Sequence, residues 1–207
     1  MIALAGPSDG GPLAGDLTLV SDYRYRGVSL SDDRPALQAD LTYTSAAGFY
    51  ANAWTSTIAP YGGARHELDL TLGRQFTIDG FAFDAAASAY TYPGAPSRDY
   101  LEIPVSLSRT FGAWTWSGGA AYAPAQRGTF GRANTYAFLK SVWKPARSPI
   151  SFTATFGHED GGFAHNKLDW SLAATAHVRA ATLSLAYVGF LERGTKDTLV
   201  ASVGVGF

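Results

Sequence analysis

The sequence predicts an all-β chain, closed into a transmembrane up-and-down antiparallel β-barrel of about twelve strands. Three observations predict it. Strand-length segments alternate apolar and polar residues, and the polar face carries charge. From Leu17 onward, Leu17, Leu19, Ser21, Tyr23 and Tyr25 share one parity, and Thr18, Val20, Asp22, Arg24 and Arg26 share the other. The connections between these segments alternate between short and longer, the rhythm of tight turns at one barrel end and loops at the other. Charged residues make up 16% of the chain, below the roughly 25% usual in soluble domains. Mean hydropathy is nonetheless −0.02, as expected where lipid-facing and lumen-facing residues average out.

Asp16 to Arg26 is expected as the first strand, followed by a polar loop from Gly27 to Arg34. Pro35 to Ser45 alternates Leu37, Ala39, Leu41 and Tyr43 against Gln38, Asp40, Thr42 and Thr44, and Gly48 to Ser56 returns after a tight turn. Thr57 to Ala64 reads as a loop. His66 to Phe76 sets Leu68, Leu70 and Leu72 against Glu67, Asp69, Thr71 and Gly73. Asp79-Gly80 is a strong two-residue hairpin signal. Phe81 to Tyr92 and Tyr100 to Thr110 follow, the latter carrying Pro104, which lacks an N–H for the ladder and is expected at a bulge. Ala113 to Ala123 places Trp114, Trp116 and Tyr122 on one parity.

The facing of Asn134 to Lys144 is set by Lys140, because a lysine at mid-bilayer costs roughly 2–4 kcal/mol on the lipid face. Lys140 therefore goes inside, and Tyr136 and Phe138 with it. Ile150 to Phe156, Lys167 to Val178, Ala181 to Phe190 and Asp197 to Phe207 complete the strands, with loops expected at Pro93 to Arg98, Pro124 to Ala133, His158 to Asn166 and Leu191 to Lys196. The segments are long enough to cross a hydrocarbon layer when tilted, and closure leaves no unpaired edge in lipid. An even count puts both ends on the short-turn, periplasmic side. Terminal Phe207 on an amphipathic strand resembles the assembly signal of outer-membrane proteins.

The run SDYRYRGVSLSDDRPALQADLTY, then GFYANAWTS, then TYPG at Thr91 to Gly94, resembles the TorF family of putative porins, small proteobacterial outer-membrane proteins that open with a strand-loop segment of the type S-D-Y-R-x-R-G-x-S. The resemblance covers Leu17 to Ser56, extends to about Glu102, and is strand pattern alone after that. It implies a barrel and a porin-like role and names no substrate.

At 207 residues the chain is one domain by length. Residues 1–15, rich in Gly and Pro, are expected as a flexible tail before a barrel spanning 16–207. This opening lacks the basic and apolar regions of a signal peptide, so the barrel reading expects a signal to have been removed. No apolar run reaches the length of a transmembrane helix. A net charge of −1 and the lack of any nucleic-acid-binding signature argue against nucleic acid. Absent cysteine excludes disulfides, thiolate metal sites and a cysteine nucleophile.

The candidate functional residues are those of inward parity: Asp22, Arg24, Arg26, Asp40, Trp54, Glu67, Asp69, Asp84, Glu102, Lys140 and Asp169. They read either as the lining of a hydrated pore whose charge biases permeation, or as groups that pair and fill a closed lumen; a barrel of about twelve strands allows both. Seven acids against three bases predict a weak preference for cations or basic solutes. Arg24 and Arg26 are expected near the outer mouth, clamped by Asp22 and Asp40. Trp54 is expected to narrow the lumen, to stack on a sugar-like solute or simply to pack.

Tyr23, Tyr43, Trp114, Trp116, Tyr122 and Trp170 are expected as lipid-facing anchors. His158, Glu159, Asp160 and His165 share a loop without the spacing of a metal motif, and no Ser-His arrangement stands out for hydrolysis. The expectation is a non-enzymatic, cofactor-free porin-like channel in a Gram-negative outer membrane. Its surroundings are the bilayer with lipopolysaccharide, and its cargo small hydrophilic solutes or ions. The alternative is a non-conducting barrel serving as a structural or partner-binding subunit of an envelope complex.

Overall fold

In the computed structural model, which describes residues 12–191 and 197–207, the chain winds into one closed antiparallel barrel. Its wall is made of β1 (Leu13–Val20), β4 (Ala36–Thr44), β5 (Phe49–Tyr61), β6 (Ala64–Ile78), β7 (Phe81–Thr91), β8 (Tyr100–Phe111), β9 (Trp114–Ala123), β10 (Asn134–Trp143), β11 (Ile150–Gly161), β12 (Lys167–Val178), β13 (Ala181–Phe190) and β14 (Thr198–Gly206). Each strand pairs with its sequence neighbour, and β1 closes on β14 with Leu17 opposite Val205. That is the twelve-strand, up-and-down arrangement expected from the alternation. The remaining two strands, β2 (Arg24–Tyr25) and β3 (Val28–Ser29), pair only with each other.

Alternation fixes the two faces. Leu17, Leu19, Leu37, Leu41, Leu70, Leu72, Leu101, Ile103, Leu139, Leu172, Leu185 and Val203 are exposed on the outside. In water such an apolar surface would be a large liability; around a closed barrel it is a lipid belt. Near the short-turn end, Trp114 stacks on Trp116 and Trp143, Trp143 on Phe152, and Phe76 on Phe83, at centroid distances of 5.2–6.1 Å. These rings form part of an aromatic girdle, and Tyr43 and Tyr122 are exposed on the same outer face. Trp170 stands on the outer parity of β12 with Leu172, edge-on to Tyr187. Lys140, Phe138 and Tyr136 face the interior, as the cost of a lipid-facing lysine requires.

Several boundaries differ from expectation for physical reasons. β1 begins at Leu13, paired with Tyr43, so the last three residues of the expected tail belong to the wall; most of that tail lies outside the described residues. β5 and β6 run through the expected 57–64 loop to a turn at Gly62-Gly63, with a register irregularity between Thr57 and Tyr61. β11 continues to Gly161, taking His158 and Glu159 into the wall. Pro104 produces no bulge: the β7–β8 register is the same on both sides of it, and the pairing simply skips from Ala85–Val105 to Ser88–Glu102 where the proline N–H is missing. Part of the expected 191–196 loop lies outside the described residues.

The largest difference is at the start. β1 leaves the wall after Val20, and within the 21–35 segment residues 22–31 fold into the lumen instead of extending the strand, while Ser21 stays bonded to Ala201 and residues 32–35 stay exposed. Tyr25 and Val28 close a small hairpin whose two central residues, Arg26 (φ 49°) and Gly27 (φ 84°), both lie in the left-handed region, as a type I′ turn requires. Tyr23, expected to face lipid, is buried at 6% exposure against Trp54. Parity along a strand stops predicting facing once the backbone has left the sheet.

Candidate functional site: an inward plug over a polar cavity

The 21–35 segment is itself tied together by Asp22. Its carboxylate accepts hydrogen bonds from Arg24, Ser29 (2.6 Å) and Ser31 (3.0 Å). Arg24 also donates to Asp33 and to the Gly27 carbonyl. Arg24 is thus clamped by Asp22, as expected, and Asp33 rather than Asp40 completes the clamp. These bonds preorganise the hairpin that carries Arg26 at its tip.

Arg26 reaches the opposite wall. One guanidinium nitrogen donates to both carboxylate oxygens of Glu102 on β8, at 2.9 and 2.8 Å, and another donates to Glu159 on β11 at 2.7 Å. Lys167 on β12 donates to Glu159 (2.6 Å) and to the Arg26 carbonyl (2.8 Å), and Asn134 on β10 donates to Glu159 at 3.0 Å. The guanidinium also lies 4.1 Å from the Tyr136 ring centroid and 4.7 Å from that of Tyr25, both faces favourable for a cation. Arg26, Glu102 and Glu159 are 8%, 0% and 3% exposed. Two charges held bidentately and in near-complete burial are strongly interdependent: removing one partner of such a pair costs about 3–5 kcal/mol.

Gly27 explains how closely the tip packs. A Cβ there would lie 3.0 Å from the Gly189 carbonyl oxygen of β13 and 3.2 Å from Asp169 Cβ, in a backbone conformation that side chains already disfavour. Tyr25 joins the network through Tyr90 (3.0 Å between hydroxyls), which donates to Glu102 at 3.2 Å. Tyr136 donates to Asp169 at 3.1 Å, passing over Gly157, where any side chain would collide with the Tyr136 ring. Tyr90, Tyr92, Tyr100 and Ala95 form an aromatic layer with Tyr25 and Phe163 packed on it. The outer half of the lumen is therefore crossed by a plug that touches strands on every side of the barrel.

Below the plug lies a cavity of about 160 Å³, lined by residues from β4 to β10 that include Asp40, Trp54, Asp69, Asp84, Tyr90 and Lys140. Asp40 accepts from Asn52 (2.6 Å) and Thr42 (3.1 Å). Asp84 accepts from Tyr50 (3.0 Å) and Gln75 (2.8 Å). Glu67 accepts from Tyr92 at 2.9 Å. One oxygen each of Glu67, Asp69 and Asp169 is buried without a hydrogen-bond partner among the described residues.

All eleven candidate residues are thus inside the barrel, in three groups. Asp22, Arg24 and Arg26 are in the plug. Glu102 and Asp169 are wall residues beneath its tip. Asp40, Trp54, Asp69, Asp84 and Lys140 line the cavity, and Glu67 is buried without lining it. Sequence reasoning missed Glu159 because the expected strand ends at Phe156, and missed Lys167 although it opens the expected 167–178 strand on the parity of Asp169. Continuing the inner parity of the former strand through Ser151, Thr153, Thr155 and Gly157 would have reached Glu159. Among the described residues no group of three His, Asp or Glu side chains is arranged to hold a metal ion; His165 pairs only with Asp160 and Asn166, on the exposed side.

A closed twelve-strand antiparallel barrel with an apolar belt outside and a charged, partly plugged interior has the fold of a transmembrane β-barrel. The chain itself belongs to the family described as "Bacterial protein of unknown function (Gcw_chp)", which matches residues 4–200. No curated protein matches it in sequence. Among solved structures it is similar to the KdgM porin, at 6% identity and a TM-score of 0.65 over 94% of this chain and 98% of that one. It is also similar to the NanC porin, at 10% identity and a TM-score of 0.58 over 94% and 97%. A third is the COG4313 outer membrane channel from Pseudomonas putida F1, at 13% identity and a TM-score of 0.54 over 95% and 94%. At these identities the likeness is one of fold.

Proposed function

We propose that the protein is a porin-like channel of a Gram-negative outer membrane, set among phospholipid and lipopolysaccharide, through which small hydrophilic solutes or ions diffuse passively. The observation that carries this reading is the polar cavity inside a closed, lipid-belted barrel. An interior kept this polar is of little use to a barrel stabilised by packing alone. The porin folds it resembles and the strand-loop resemblance to TorF porins support the same reading.

The plug sets the mechanism. With the 21–35 segment latched across the outer half, passage is governed by the gap it leaves and by how often Arg26 releases its two carboxylates. Below it, Asp40, Asp69 and Asp84 outnumber Lys140 and bias the path toward cations. Liposome swelling with sugars of increasing size tests the channel reading. Size-dependent swelling is expected for the refolded protein; none at any size, for a protein that runs as a folded barrel, contradicts it.

One observation favours a second reading. The latch is so fully paired that the barrel reads equally as a closed one, a structural or partner-binding subunit of an envelope complex. No swelling, together with an envelope protein that co-purifies with the barrel and binds it directly, is the outcome that reading requires.

A further inference from the structure

Four residues on successive strands form a row across the inner wall. Asp40 on β4 is directly opposite Trp54 on β5, Trp54 opposite Asp69 on β6, and Asp69 opposite Tyr90 on β7. Directly opposed side chains in antiparallel sheets lie about 4.5–5.5 Å apart at Cβ, so the Asp69 carboxylate sits between two aromatic rings. Tyr23 of the plug packs on Trp54 at 5.3 Å and roofs the row. All five residues line the cavity.

The carboxylates differ in what they lack. Asp40 and Asp84 already have two donors each. Asp69 has a buried oxygen, Oδ1, with no partner. Glu67, on the same inner face two residues earlier and 2% exposed, has no full hydrogen bond at Oε2, although the Tyr23 side chain approaches its carboxylate. Asp69 Oδ1 itself is out of solvent reach, but Asp69 as a whole is half-buried and lines the cavity, so a donor or a cation meets its carboxylate from the cavity side. Trp54 and Tyr90 on either side add aromatic rings that favour the same kind of ligand, although one face of Tyr90 is taken by Tyr100. Lys140, on the far wall, repels a cation from β10 and leaves the Asp69 side as the favourable one. A cavity near 150 Å³ takes a guest of roughly six heavy atoms.

We propose that this row is a binding site for a small organic cation, an ammonium group on a short apolar stem. The ammonium meets Asp69, with Glu67 behind it, and the stem lies on Trp54 and Tyr90. Asp40 stands two strands away, about 10 Å across the sheet; its oxygens are already paired with Asn52 and Thr42, so it acts on the second ammonium of a short diamine only as a nearby negative charge. The site deepens the channel reading by naming the class of solute, and it rests on that reading only for the solute's passage, since binding itself needs no conduction.

The test is calorimetric titration of the refolded full chain in detergent with putrescine, against glutarate and sodium chloride at equal ionic strength. Saturable heat is expected for putrescine alone. Binding should weaken at least about tenfold in Asp69→Asn and in Trp54→Leu and stay within about twofold in Asp79→Asn, which removes an acidic charge at the exposed Asp79-Gly80 turn, away from the cavity. Heat-modifiable gel mobility establishes that each variant is a closed barrel. Absence of saturation to about 10 mM, unaltered binding in Asp69→Asn, or equal loss in Asp79→Asn overturns the site. Binding by a protein that does not conduct would remove the channel and leave the site; conduction without putrescine binding would do the reverse.

Discussion

Arg26 and Glu102 are 76 residues apart in sequence and share two hydrogen bonds at 2.8 and 2.9 Å across the barrel lumen. This pair turns a loop of the first hairpin into an internal plug. Glu102 belongs to the wall strand β8, and Arg26 sits at the tip of a two-strand hairpin that pairs only with itself.

The first consequence concerns conduction. Arg26→Ala removes the bonds to Glu102 and Glu159 and leaves Glu102 buried and uncompensated, a change of about 3–5 kcal/mol in favour of the plug leaving its place. Single-channel recordings of this variant should show larger or longer-lived openings than the parent. Glu159→Gln, which keeps the Glu102 bonds, should lie between the two.

Gly27 tests the same element through sterics. Gly27→Val forces a β-branched residue to a φ of 84° and into the Gly189 carbonyl. The wall strands are untouched, so the barrel should still fold. The plug should detach, and limited proteolysis should cut within 21–35 in Gly27→Val and spare the parent.

The two faces of the wall can be exchanged at one place. Leu139 is 54% exposed on the outside of β10, and Lys140 faces the cavity. The double variant Leu139→Lys with Lys140→Leu conserves composition and moves only the charge, at a cost of roughly 2–4 kcal/mol if position 139 lies near the bilayer midplane. Refolding yield into vesicles should fall sharply, while the single variant Lys140→Leu should refold like the parent.

The wall was legible because period-two alternation and the cost of lipid-exposed charge are local properties: they placed Lys140, Phe138 and Tyr136 inside without any partner being known. The plug was not legible by that route. Ser21-Asp22-Tyr23-Arg24-Tyr25-Arg26 continues the alternation of β1, and alternation cannot tell a strand in the wall from a strand inside it. The signal that was present is Arg26-Gly27 between two residues of a short hairpin, a turn signature with Gly at its second position. The carboxylates that receive Arg26 lie 76 and 133 residues away, and nothing in their own segments marks them as partners of one arginine. Asp69 was recognised as inward, but its missing donor became visible only once its neighbours across the sheet were known.

The most direct test of the account is planar-bilayer recording of the refolded parent and Arg26→Ala in a salt gradient. The account predicts discrete steps in the parent, greater conductance in the variant, and a reversal potential in both of the sign set by cation preference. Silence from both proteins as folded barrels would contradict a channel gated by the Arg26 latch, and an anion-selective reversal potential would contradict the acidic path beneath it.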